Sequence, residues 1–170
     1  MKLNRQLKIL LDEAPRQGVP PFVMEKAVIP VLKAFASQLK HLEYYILQSR
    51  DPRSASEGNR EWMATTLSNI ENPQQEKRVI YAFATAEDAI ASQENANVLG
   101  EIASIPVTHL LFQLLAIDTI DSIIFLETPG NLEKGLDIYR TSLQNSIQKQ
   151  LQHLEPFPPS NSKKIPSNLA

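Results

Sequence analysis

The run Ser122-Ile123-Ile124-Phe125-Leu126, bounded by Asp121 and by Thr128-Pro129-Gly130, constrains this chain more than any other stretch. A short continuous apolar run between turn signals reads as a central strand buried on both faces. Such a strand needs paired neighbours and further elements packed on the sheet. The rest of the chain supplies candidates for both.

Aromatic and branched residues mark three more strands: Leu42 to Leu47, Trp62 to Leu67 and Arg78 to Phe83. The first two form an antiparallel hairpin across a polar connection at 51–60. Another polar loop, 68–77, leads into the third. A brief strand spans 101–105, and Leu136 to Tyr139 adds a short extended piece. Leu3, Leu7, Leu10 and Leu11 recur at helical steps, and a second helical stretch runs from 22 to 38. Its inner face is Val23, Ala27, Leu32, Phe35 and Leu39, and Pro30 kinks or splits it.

Thr85 with Glu87 and Asp88 starts a short helix that gives way to a polar loop at 93–97. Thr108 caps the Leu-rich helix that follows. Thr141-Ser142-Leu143-Gln144 has the spacing of a capping box for a final helix carrying Leu143, Ile147, Leu151 and Leu154. The fold expected is α+β, with one mixed, mainly antiparallel sheet, helices packed on it and N-terminal helices before it. Its domain spans residues 1–155, helical over about 1–38 and sheet-bearing over about 39–155. The segment 156–170 holds four of the twelve prolines without periodicity and reads as a flexible tail.

With 170 residues, the chain is long enough to bury a core without staples. Its net charge of −2 provides no general attraction to phosphate backbones or anionic membranes. The basic residues Arg50, Arg53, Arg60, Lys77 and Arg78 are scattered, so no nucleic-acid partner is expected. Zero cysteines exclude thiolate catalysis and cysteine-ligated metals. Near the N-terminus, Lys8, Asp12 and Glu13 break up what would otherwise resemble a leader, and no stretch reaches the ~20 apolar residues of a membrane span. A cytoplasmic location is the expectation.

The stretches Val79 to Asp88 (VIYAFATAED), Ile105 to Leu115 (IPVTHLLFQLL) and Asp121 to Pro129 (DSIIFLETP) resemble the SseB-like domain family in their order and texture. More distantly, the chain is similar to halves of the chloroplast intermembrane-space import chaperones. The likeness covers about two-thirds of the sequence from Leu39 onward. It departs at Glu127-Thr128-Pro129, where the family often has Asn-Pro. This resemblance implies a fold; it implies no reaction, cofactor or catalytic set.

The histidines at 41, 109 and 153 lack metal-ligand spacing, so no metal or cofactor is expected. Gly130 to Gly135 follows a buried strand, but Leu136 and Asp137 stand where a phosphate loop needs Lys and Ser or Thr. Two groups of candidates are left. Tyr44, Tyr45 and Trp62 lie on the hairpin, and one adjacent tyrosine faces outward if the strand alternates. Glu127 and Thr128 sit at the end of the central strand, where open sheets place ligand sites. The leading expectation is a non-enzymatic interaction or regulatory module whose partner is another protein or a second copy of the chain. The rival is a small-ligand-binding domain or carboxylate-dependent enzyme near Asp121 and Glu127, with Asp118 close by.

Overall fold

A computed structural model describes residues 2–49, 61–68, 71–72, 74–96 and 100–154. The expected turn at 51–60 and tail at 156–170 lie outside these residues. The helical N-terminus comprises α1 (Leu3–Glu13), a 3-10 turn (Ala14–Gln17), α2 (Pro21–Val23), a π-helical stretch (Met24–Val28) and α3 (Ile29–Ala36). After it come β1 (Glu43–Gln48), β2 (Thr65–Ser68), β3 (Glu76–Phe83) and α4 (Ala86–Ala96). The remainder is β4 (Glu101–Pro106), α5 (Val107–Ala116), β5 (Ser122–Leu126), β6 (Leu136–Tyr139) and α6 (Arg140–His153).

The sheet has the order β4-β1-β3-β5-β6, with β2 also on β3. Only β3 and β5 run parallel; the other ladders are antiparallel. This is the expected α+β architecture. Alternation along the strands sorts the side chains into two layers. Tyr44, Ile46, Ile80, Ala82, Ile123, Phe125 and Ile138 join the large core beneath α1, α3, α5 and α6. On the opposite face, Phe83 and Leu126 pack with Ala89 of α4, and Tyr45, Leu47, Tyr81 and Ile124 border them. Both faces of β5 are therefore covered. Each fully buried Leu or Ile in these layers contributes roughly 1.5–3 kcal/mol by leaving water.

Pro30 does not end the helical stretch. It falls in the first turn of α3, and the Ile29 amide bonds to the Met24 carbonyl one residue farther back than in an α-helix. That extra residue is the π-helical stretch, which accommodates a ring that would clash with a regular preceding turn. Upstream, Gly18 closes the 3-10 turn at φ 79, a conformation that suits glycine.

Four local expectations need correction. The β1–β2 hairpin is reduced to a bridge between Gln48 and Trp62, and β2 starts only at Thr65. Strand β1 gives its full length to β4 and meets β3 at Tyr45, so β2 finds its ladder on β3 instead. The expected loop at 93–97 is helical through Ala96. Thr141 is not a cap: β6 runs to Tyr139, the Arg140 amide donates to the Asp121 carbonyl at 2.9 Å, and α6 starts at once. Nor does the Thr108 side chain cap α5. Its hydroxyl and amide both donate to Gln6 Oε1, at 2.9 and 3.1 Å.

Candidate functional site

Because β1 is antiparallel to β3, its first residues reach the same edge of the sheet as the carboxyl ends of β3 and β5. Ligand sites of open sheets favour that edge. Glu127 is the first residue past β5, and Tyr44 is the second residue of β1. The Tyr44 hydroxyl donates to Glu127 Oε1, which also accepts the Lys40 amide at 2.8 Å. His41 Nε2 lies 2.8 Å from the Glu127 carbonyl oxygen. As a carbonyl only accepts, Nε2 carries the proton, and a neutral ring keeps its lone pair on Nδ1.

Tyr44 is fully buried between two rings. Phe125 stands edge-on at 4.9 Å and His41 at 5.5 Å. Burial pushes its phenol well above the usual tyrosine range, and the bond to Glu127 adds to the shift against the opposing backbone amides of His41 and Lys40. The phenol is thus a committed donor and holds its proton at neutral pH. The cluster ties the connector between α3 and β1 to the end of β5.

A second set of contacts ties down the loop after β5. Thr85 Oγ1 accepts the Asp88 amide at 3.1 Å, so it caps α4 as its sequence position suggests. The Asp88 carboxylate turns away from the capping-box role and accepts the Gly130 amide through both oxygens at 3.1 Å. Gly130 takes φ 83 there.

Among the sequence candidates, Tyr44 and Glu127 meet directly, and Thr128 follows in the chain as an exposed residue. Tyr45 points to the other layer and is half-buried near Phe83 and Leu126. Trp62 packs half-buried against the main core beside the far end of β1. Asp121 and Glu127 flank opposite ends of β5, roughly 20 Å apart at strand rise, so they do not share a site. Asp121 Oδ2 accepts the Arg78 amide at 2.9 Å, while Arg140 holds the carbonyls of Asp118 and Ile120.

Lys40, His41, Gln6 and Asp88 are the residues that sequence reasoning did not connect to these contacts. Only Asp88 carried a local signal, its position in the α4 cap, and that signal pointed to a different bond. No three His, Asp or Glu side chains among the described residues converge as metal ligands, and no helix among them is long and apolar enough to cross a membrane. No family model, curated protein or solved structure matches this chain.

Proposed function

We propose that this protein is a non-enzymatic interaction module that accepts an extended segment of a partner protein along β6. The observation carrying this reading is the edge position of β6 together with the exposure of Leu136 (37%) and Tyr139 (39%). An edge strand offers backbone donors and acceptors to an added strand, and side chains on its two faces select the sequence. Leu136 and Tyr139 fall on opposite faces by alternation. Lys77 Nζ bonds the Tyr139 hydroxyl at 2.7 Å and lies 4.4 Å from the ring centroid. Burial opposes the Lys77 charge, but bonds to Asp137 and Tyr139 outweigh it and hold the ammonium above its ordinary range. A ring fixed in this way loses less freedom when it anchors a partner.

The polar groups at the sheet ends support the same reading, since Glu127, Asp88 and Asp121 already hold backbone amides. Kinship with the SseB-like family belongs to this proposal and rests on the three stretches quoted above. A cytoplasmic setting belongs to the same proposal.

The test is affinity capture from native extract with wild type, Leu136→Lys and Ile90→Lys. Ile90 is an exposed residue of α4 and serves as the control. The reading expects one partner lost with Leu136→Lys alone. Equal capture by all three refutes the β6 site, and a shift in the wild type's own oligomeric state would make the partner a second copy. A second reading, small-ligand binding at the β5 rim, is favoured by the convergence of Tyr44 and His41 on Glu127. Titration against a metabolite panel with Glu127→Gln as the negative control tests it.

A further inference from the structure

Ser122 Oγ and Asp137 Oδ1 are buried side-chain oxygens without a hydrogen-bond partner among the described residues, and Ser122 is wholly inaccessible to solvent. Both side chains occupy the α4 face of the sheet. Ser122 is two residues before Ile124 on β5, and Asp137 sits opposite Ile124 on β6. Since Ser122 pairs with Tyr139, Ser122 and Asp137 are diagonal neighbours on adjacent strands. Diagonal positions lie roughly 7–8 Å apart, less the reach of the two side chains. A single water making two bonds of about 2.8 Å spans what is left.

Buried polar atoms left unpaired cost too much to persist, and an ordered water is their usual partner. We infer that an internal water bridges Ser122 Oγ to Asp137 Oδ1. It donates one proton to the carboxylate and exchanges a second bond with the hydroxyl. Lys77 is placed to complete the shell: bonds to Asp137 Oδ2 and the Tyr139 hydroxyl use two of its three protons. The site would fasten β6 to β5 on the face where Lys77 already ties the short edge strand to β3. It stands independently of the partner-binding reading.

A crystal structure of the full chain at high resolution should show a water oxygen within hydrogen-bond distance of both atoms. A dry gap, or Ser122 Oγ rotated onto a protein carbonyl, overturns the inference. Stability gives a second readout of opposite sign for the two cases. Ser122→Ala should lower the folded-to-unfolded ratio roughly threefold to tenfold if the hydroxyl is bridged. An unpartnered hydroxyl predicts that the same change leaves the ratio equal or higher. Asp137→Ala deletes the same bridge, so the double variant should lose less than the product of the single losses; strict multiplicativity counts against a shared water.

Discussion

Replacing Gln6 by leucine keeps the side-chain volume nearly constant and removes three hydrogen bonds among the described residues. Gln6 is fully buried on α1; its Nε2 donates to the Leu42 carbonyl at 2.9 Å, and its Oε1 accepts the amide and hydroxyl of Thr108. The Thr108 amide belongs to the first turn of α5, where no intrahelical acceptor exists. Gln6 therefore acts as the cap of α5 from a distant helix. In the leucine variant the Leu42 carbonyl still receives the Val107 amide at 2.9 Å, so its loss is small. Thr108 loses an acceptor for two buried donors, each costing about 1–3 kcal/mol. The transfer of a leucine in place of an amide recovers about 1 kcal/mol, leaving a net loss of ~1–5 kcal/mol. That is a large share of the ~5–15 kcal/mol that holds a domain folded. Urea unfolding followed by far-UV circular dichroism should show the midpoint falling by about 0.5–2.5 M at an unchanged slope of about 2 kcal/mol/M. Thr108→Val in the Gln6→Leu background should recover part of the loss, because one stranded donor disappears. A midpoint within about 0.2 M of wild type would refute the distant-cap argument.

Four further outcomes follow from the same contacts. Tyr44 is held neutral by burial, so its stabilisation is complete below the unfolded value near 10 and is lost as pH rises past it. Spectrophotometric titration at 295 nm should show no phenolate from Tyr44 before the chain unfolds, so wild type and Tyr44→Phe should give the same folded-state curve, and Tyr44→Phe should flatten the alkaline stability limb; a Tyr44 ionisation near pH 10 in the folded protein would contradict this. Burial lowers the His109 value, with Glu13 partly opposing, so stability should fall as pH drops below about 6.5 and His109→Gln should reduce that slope. A Cβ on Gly135 would lie 2.7 Å from Ile124 Cγ2 and 2.9 Å from the Phe125 carbonyl, so Gly135→Ala should destabilise by ~1–3 kcal/mol in the same urea assay. Asp88→Ala should cost ~1–2 kcal/mol and speed hydrogen exchange of the Gly130 amide; unchanged exchange would show that the loop is held by something else.

What was legible in the sequence is what depends on neighbours in the chain. The apolar run at 122–126 predicts a doubly covered strand because burial of consecutive residues needs no knowledge of which strand lies beside it, and β5 is buried along nearly its whole length. Alternation likewise separates Tyr44 from Tyr45, and the two side chains do enter different layers. Thr85 was readable as a cap because its acceptor and donor are three residues apart. Partner choice was not readable. Strand β1 has two edges and several apolar candidates for them, and the choice of β4 over β2 is settled by the whole sheet. The same competition moved the start of α6 ahead of Thr141, which has the spacing of a capping box but lies inside the first turn of a helix that begins directly after β6.

The polar residues follow a different rule. Gln6 and Thr108 are 102 positions apart, Tyr44 and Glu127 are 83 apart, and Asp88 and Gly130 are 42 apart. No local pattern joins such pairs, yet each ties together segments distant in the chain, and Gln6 in addition gives a buried helix-end amide its acceptor. Glu127 stood out in the sequence as an acid at the mouth of a sheet, and Tyr44 as an aromatic on a strand. Their meeting gives both a mechanical role that neither signal contained: the carboxylate accepts one phenol and one amide, and in doing so fixes where the N-terminal helices join the sheet. The acids that look reactive in sequence are here the ones that accept backbone amides at the ends of the sheet. The exposed apolar residues of β6 have no such internal duty, which makes that edge the more informative place to look for a partner.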